Sequence, residues 1–335
     1  MSMNRHMIVD SLPSGELRED NYKMVESPMP EPGEGEVLLR VILMSIDAAN
    51  RAWLQGPSYR DAVKAGDAMP TFAISEVVAS NSPRSKVGDI VASEAVWADY
   101  VVKPARHVMK MPPVPALSNL ISVYGVAGKT AFHGLIGVGR AMAGETIVVS
   151  AAAGSVGGYV GQIAKALGCR VVGIAGGPEK CAWVVDELGF DACVDYRDKG
   201  YFKALSSACP DGVDVYFDNV GGSVLETVLF LMNTHGRVVC CGAISQYDTA
   251  DAKGPRNLPG LVVMKRLRME GFIVMDFAND DPKALRALQS WVASGKIKIT
   301  EDIVEGLENA PAALIGLLKG DNKGKRMVRV SADPA

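Results

Sequence analysis

Thr146-Ile-Val-Val-Ser150 runs without a break into Ala151-Ala-Ala-Gly-Ser-Val-Gly-Gly158 and then into Tyr159-Val-Gly-Gln-Ile-Ala-Lys-Ala-Leu-Gly168, and this succession decides the fold. A short uncharged apolar run reads as a strand buried on both faces, which is the habit of parallel sheets. A glycine turn and a helical stretch follow it. Gly154 lets a backbone approach a pyrophosphate, Gly157 lets helix and strand pack closely, and the helix N-terminus supplies amides and a positive dipole end. Ala152 stands where the usual Gly-x-Gly-x-x-Gly has its first glycine. Glycine-rich turns also serve packing only, so the surroundings of this one carry the weight.

Downstream, Arg170-Val-Val-Gly-Ile-Ala175 is a second strand at the spacing of a βαβ unit, ending where a ribose would lie. Folds that take NAD usually place an Asp or Glu there to hold the 2'-hydroxyl. Here Ala175, Gly176 and Gly177 leave the place uncharged and Lys180 follows. A carboxylate repels a 2'-phosphate and an ammonium attracts it, so the local chemistry favours NADP(H). The plainer alternative is that Lys180 is a solvated lysine at a helix start.

The same alternation continues. Ala192 to Asp195, Val213 to Asp218, Arg237 to Cys241 and Glu270 to Val274 are apolar runs between helical stretches, which predicts a doubly wound parallel sheet. Upstream the texture differs. Glu36 to Leu43, Asp89 to Ser93 and Ala98 to Val102 are β-like segments separated by Pro/Gly-rich turns. The tail carries Ile303-Val-Glu-Gly, an amphipathic stretch from Ala310, and Arg326-Met-Val-Arg-Val330. We therefore expect a mostly β domain over 1–122, completed by 296–335, and a dinucleotide-binding domain over 123–295.

The chain has 335 residues, 48% of them hydrophobic, and a formal net charge of -3. Such a charge offers no broad attraction to nucleic acid or anionic lipid. No charge falls between Glu145 and Lys165, but the glycines and serines inside that stretch fit a strand, turn and packed helix better than a membrane span. The N-terminus lacks the apolar run of a secretory signal, so a cytoplasmic address is expected. Six cysteines, all from Cys169 onward, form no Cys-x-x-Cys pair and read as buried free thiols.

Taken with Gly125-Val-Ala-Gly-Lys-Thr-Ala-Phe-His-Gly-Leu135, Glu187-Leu-Gly-Phe-Asp191, Phe217-Asp-Asn-Val-Gly-Gly222, Cys241-Gly-Ala-Ile-Ser-Gln-Tyr247, Leu267-Arg-Met-Glu-Gly-Phe272 and Lys319-Gly-Asp-Asn-Lys-Gly-Lys325, the turn resembles the medium-chain dehydrogenase/reductase superfamily. The resemblance is to its prostaglandin reductase and alkenal double-bond reductase branch, curcumin reductase-like and zinc-free, and is near full length. It implies a Rossmann domain joined to a mostly β GroES-like catalytic domain, NADP(H) as cofactor and a homodimer. It places Thr130 near the nicotinamide, Gly154, Ser155, Val156 and Gly157 at the pyrophosphate, and Lys180 and Tyr196 beside Gly176 at the 2'-phosphate. Asn219 would hold the cofactor, Cys241, Gly242, Ala243, Ile244 and Ser245 with Phe272, Ile273 and Val274 would line the nicotinamide end, and Asn322 would reach in from the tail. Each also has a plainer role: Thr130 as a helix cap, Tyr196 as a strand aromatic, Asn219 as a turn former.

The zinc members of the superfamily use a Cys after the first β segments and a Gly-His-Glu some twenty residues later. Here Met44 and Ala68-Met-Pro-Thr71 stand in those regions, so no metal site is expected. The branch often has tyrosines where this chain has Ala49 and Met264, which leaves Tyr247 and Tyr59 as the phenols expected near the reacting carbons. The implied activity is NADPH-dependent reduction of the carbon-carbon double bond of an enal or enone. A quinone reductase on the same scaffold and a non-catalytic NADPH-binding protein stay open as alternatives.

Overall fold

The computed structural model describes residues 3–56, 58–249 and 254–334. It divides into two compact units, Met1–Ile121 with Glu301–Asp321 and Arg326–Ala335, and Ser122–Thr300 with Asn322–Lys325. The tail expected to complete the first unit over 296–335 is thus shared: 296–300 and 322–325 lie with the second.

In the first unit the strand Glu36–Ser45 is the organiser. It pairs antiparallel with Pro70–Ser80, Tyr100–Pro104 and Lys325–Arg329. Sharing one strand among three partners wraps the sheet around the apolar cluster of Val37, Leu39, Val41, Met44, Met69 and Trp97. Ile90–Val96 and Met109–Lys110 extend the sheet on one side, and Glu301–Glu305 extends it on the other.

The second unit holds a parallel sheet of six strands in the spatial order Ala192–Asp195, Arg170–Ala175, Thr146–Ser150, Val213–Asp218, Met232–Cys240, Arg268–Gly271. This is the doubly wound order, and it reverses between Thr146–Ser150 and Val213–Asp218. All five residues of Thr146–Ser150 are buried, as its lack of charge predicts. The helix Ser155–Ala166 returns against the sheet with Gly161 facing Phe190, whose ring would lie 1.8 Å from a Cβ there.

Two strand expectations are corrected. The sixth strand is Arg268–Gly271, not Glu270 to Val274, because its ladder ends at the Cys240–Gly271 pair and a short 3-10 turn begins at Val274. Apolarity alone made Phe272-Ile-Val read as strand. The fifth strand stops at Cys240, its last ladder bond running from the Cys241 N–H to the Asp218 carbonyl at 2.9 Å, and the chain then turns away at Gly242.

Candidate functional site

Ligands of open α/β sheets bind where the strand order reverses, outside the carboxyl ends of the strands. In this chain that place is framed by Ser150 and Asp218. Ala151 enters the turn with φ 51, a left-handed conformation that side chains seldom adopt. The strain folds the chain sharply into Gly154 and the helix beyond. A Cβ on Gly157 would lie 2.3 Å from the Ala151 carbonyl oxygen, and one on Gly154 would lie 3.1 Å from the same atom. The first helical amides, from Ser155, Val156 and Gly157, have no carbonyl a turn earlier to bond. The hydroxyl oxygen of Ser155 is buried with no hydrogen-bond partner. A bare backbone cradle, open amides and an orphaned hydroxyl fit a dinucleotide pyrophosphate.

The tail segment of this unit closes the cradle. Gly324 forms a parallel bridge with Gly154, and its N–H donates to the Ala153 carbonyl at 2.9 Å. Lys180 Nζ donates to the Asn322 carbonyl at 2.6 Å, and Lys323 pairs with Glu179 at 2.6 Å. Asn322 is buried, but its side-chain amide donates to the Gly324 carbonyl within its own loop. Lys180 and Asn322, both named from sequence, are therefore joined directly, while Tyr196 lies beside Gly176, with its ring 3.0 Å from where a Cβ would be.

Asp218 sits at the end of the fourth strand, nearly inaccessible. One carboxylate oxygen, Oδ1, accepts from Tyr216 Oη at 2.7 Å, Gly221 N at 2.9 Å, Val220 N at 3.0 Å and Ser150 Oγ at 3.3 Å. Burial, the largest influence, holds this carboxyl above its ordinary range against those bonds, which pull it down. Asn219 completes the junction: its amide N–H donates to Ser150 Oγ at 2.9 Å and its side chain to the Ser150 carbonyl at 2.8 Å.

The segment Cys241 to Tyr247 is laced onto the same junction. Cys241 and Gly242 donate to the Asp218 carbonyl, Ile244 to that of Asn219, and Ser245 to that of Val220 through both its amide and its hydroxyl. The Tyr247 oxygen accepts the Ala243 N–H at 3.0 Å, which leaves the phenol proton to donate. Burial pushes the pKa of this phenol above its ordinary value, so it keeps its proton at neutral pH.

Thr130 is buried on the helix Val126–Phe132, which passes into a π-turn at His133–Val138. Such turns are frequent at functional sites. Gly134 allows the approach of Phe217 and Phe272, each 2.6 Å from where its Cβ would stand. Phe272 meets Phe217 and Phe277 edge-on, and Phe277 stacks on His133, so Phe272 sits within a row of aromatic rings; Ile273 and Val274 follow it half-buried. His133 Nε2 lies 3.2 Å from Asp281 Oδ1, and Lys129 Nζ lies 2.7 Å from Oδ2.

Tyr59 belongs to the other unit, exposed, its oxygen accepting Trp53 Nε1–H at 3.1 Å. Met264 is exposed on the helix Leu258–Lys265 and Met44 is buried in the core of the first unit. Among the described residues, no three His, Cys, Asp or Glu side chains gather as metal ligands. No helix there is long and apolar enough to cross a membrane. Sequence reasoning missed Asp218 and the His133–Asp281 pair. Four-residue spacing of Lys129 and His133 on one helix is the signal that could have suggested a shared partner.

Comparison with known proteins bears directly on this arrangement. Residues 5–111 match a family model described as the N-terminal domain of oxidoreductase, and residues 155–290 match one described as zinc-binding dehydrogenase. The NADPH-dependent curcumin reductase of Escherichia coli (strain K12) is 42% identical, covering 98% of each chain. The chain belongs to the medium-chain dehydrogenase/reductase family. Within it the chain falls in the branch of curcumin, prostaglandin and alkenal reductases. The NADP(+)-dependent 2-alkenal reductase of Nicotiana tabacum, 36% identical over 98% of both chains, is of the same branch. A solved structure of CurA from Vibrio vulnificus in complex with NADPH superposes with a TM-score of 0.94 at 38% identity, covering 98% of this chain and all of that one. The medium-chain reductase fold is thereby established along nearly the whole chain.

Proposed function

We propose that this medium-chain reductase uses NADPH to reduce the carbon-carbon double bond of α,β-unsaturated aldehydes or ketones. The observation that carries it is the uncharged end of the second strand, Gly176-Gly177, flanked by Lys180 and Tyr196, in a chain similar throughout its length to NADPH-dependent curcumin reductase. Bound in the cradle, the dinucleotide supplies a hydride, which goes to the β-carbon of the substrate. The protein has little covalent work to do, because the substrate carbonyl already withdraws charge from the double bond. Its tasks are to hold the acceptor carbons at the reacting distance and to offer a hydrogen bond to the developing enolate oxygen.

Thr130, Phe272 and the Cys241 to Tyr247 segment do the holding, and the Tyr247 phenol is a hydrogen-bond donor. Reduction of an enone with C4-deuterated NADPH in ordinary water is expected to leave deuterium on the β-carbon alone. Label on the carbonyl carbon, with an allylic alcohol as product, would make the protein a carbonyl reductase instead. Tyr247→Phe and Tyr59→Phe are each expected to lower turnover by less than about a hundredfold, the lower range for loss of one oxyanion donor. A larger loss at either position would give that phenol a proton-transfer role.

Two further features belong to the same proposal. The protein acts in the cytoplasm as a homodimer, for which the edge strand Arg268–Gly271 offers unpaired backbone groups to a second copy. Light scattering on the eluting protein is expected to give twice the 35.5 kDa chain mass, and a monomer mass would refute the pairing.

A further inference from the structure

The turn at the end of the second strand is covered by a side chain that neither the cradle nor the nicotinamide wall uses. A Cβ on Gly176 would stand 3.1 Å from both Cζ and Nε of Arg197, as well as 3.0 Å from the Tyr196 ring. Arg197 Nη1 lies 4.0 Å from the corresponding point on Gly177, which has φ +92. The guanidinium carbon is 5.7 Å from the Tyr196 ring centroid. Cation and phenol thus lie together over Gly176-Gly177.

The neighbouring carboxylate is kept occupied. Asp195 Oδ1 accepts the Gly177 and Arg197 amide hydrogens, both at 2.9 Å, and those two bonds, with a smaller attraction from the Arg197 charge, hold its carboxyl below the ordinary range. Asp195 therefore works as a staple between the second and third strand ends, bonded to backbone amides and also drawing on the Arg197 cation. Lys180, on the following helix, has its ammonium on the Asn322 carbonyl. A point charge already engaged with the tail can attract an anion but cannot define its orientation. A guanidinium presents a planar fork that matches two phosphate oxygens at once.

We infer that Arg197 is a specificity residue for the cofactor, gripping the 2'-phosphate of NADPH with its fork while Lys180 supplies the second charge and ties the tail down. The inference deepens the NADPH reading above and rests on it. Glycine at 176 is what lets the guanidinium lie over the turn, and glycine at 177 accommodates the left-handed backbone beneath it.

Calorimetric titration of the full-length protein with 2'-AMP, 5'-AMP, NADPH and NADH tests this without any turnover. The wild type is expected to hold 2'-AMP more tightly than 5'-AMP. Arg197→Ala is expected to weaken 2'-AMP and NADPH by about tenfold to a hundredfold, the worth of one charge-assisted contact. 5'-AMP and NADH should change less than about twofold, since neither carries a 2'-phosphate. Arg197→Lys, which keeps the charge and loses the fork, should fall between. Discrimination that survives Arg197→Ala, or equal losses for all four ligands, overturns the assignment while leaving NADPH as the cofactor. A wild type that binds 2'-AMP no better than 5'-AMP overturns both together.

Discussion

Valine at position 157 is expected to weaken NADPH binding by more than about a hundredfold, equivalent to roughly 2.7 kcal/mol. A Cβ there would lie 2.3 Å from the Ala151 carbonyl oxygen, 2.9 Å from its carbon and 3.1 Å from Ala152 Cα, all of them backbone atoms. No rotamer relieves such a contact. Either the helix Ser155–Ala166 withdraws from the strand or the turn opens, and both displace the amides that face the pyrophosphate. Overpacking of this kind costs about 1 to 3 kcal/mol of stability, and the two valine methyl groups place this case at the upper end. Gly158→Ala is the internal control on the same helix. Its Cβ would meet Leu188 Cδ1 at 3.3 Å, the flexible end of a side chain, and the Ala152 carbonyl oxygen at an ordinary van der Waals distance of 3.5 Å. Fluorescence titration with NADPH, together with thermal unfolding, separates the two variants. Similar affinities for both would remove the cradle from the account of binding.

Removing the Asp218 carboxylate is the second large effect. In Asp218→Ala the donors of Tyr216, Gly221 and Val220 lose this acceptor, while Ser150 keeps its bond to the Phe217 carbonyl at 3.4 Å. Each buried donor left alone costs about 1 to 3 kcal/mol, so even with partial relaxation the loss is about 3 kcal/mol or more. Turnover should fall by more than about a hundredfold, because the Asn219 loop and the segment laced to it lose their common anchor. Asp218→Asn keeps an oxygen in the same place and should retain most of both properties. A carboxyl raised by burial favours folding most below its ordinary pKa of 3.8 and loses that contribution as pH climbs through the folded value. The stability of the wild type relative to Asp218→Asn should therefore decline from acid toward neutral pH in denaturant titrations. A difference that is flat with pH would mean that the buried carboxyl titrates as it does in the unfolded chain.

The nucleotide unit was legible because its signals are local. An uncharged strand, glycines at fixed offsets and a helix start all lie between Thr146 and Ala166, and the fold they announce is the one observed. Strand ends were less legible. Phe272-Ile-Val looks like strand by composition, yet what ends the ladder is the absence of a partner beyond Cys240. The junction at Asp218 was misread in emphasis. Its motif pointed to Asn219, while the neighbouring carboxylate collects the bonds, and no local pattern tells a buried acid from a solvated turn former. The union of Lys180 with the Asn322 carbonyl spans 142 positions, a distance over which only the folded chain brings partners together.

The tail has a consequence for how the protein comes to be made. Residues 322–325 cap the nucleotide turn, and Lys325–Arg329 is a strand of the first unit's sheet. The same few residues finish both units, so a nascent chain that has already threaded its six parallel strands still lacks a sealed cradle and a complete β wall until position 329 has left the ribosome. The loops closed at that moment are among the longest the chain can form, from Gly154 to Gly324 and from Leu43 to Arg329. Long loops close at an entropic cost that grows only slowly with length, but they close late. Binding competence therefore waits on the segment 322–329 and arises at once instead of accruing domain by domain.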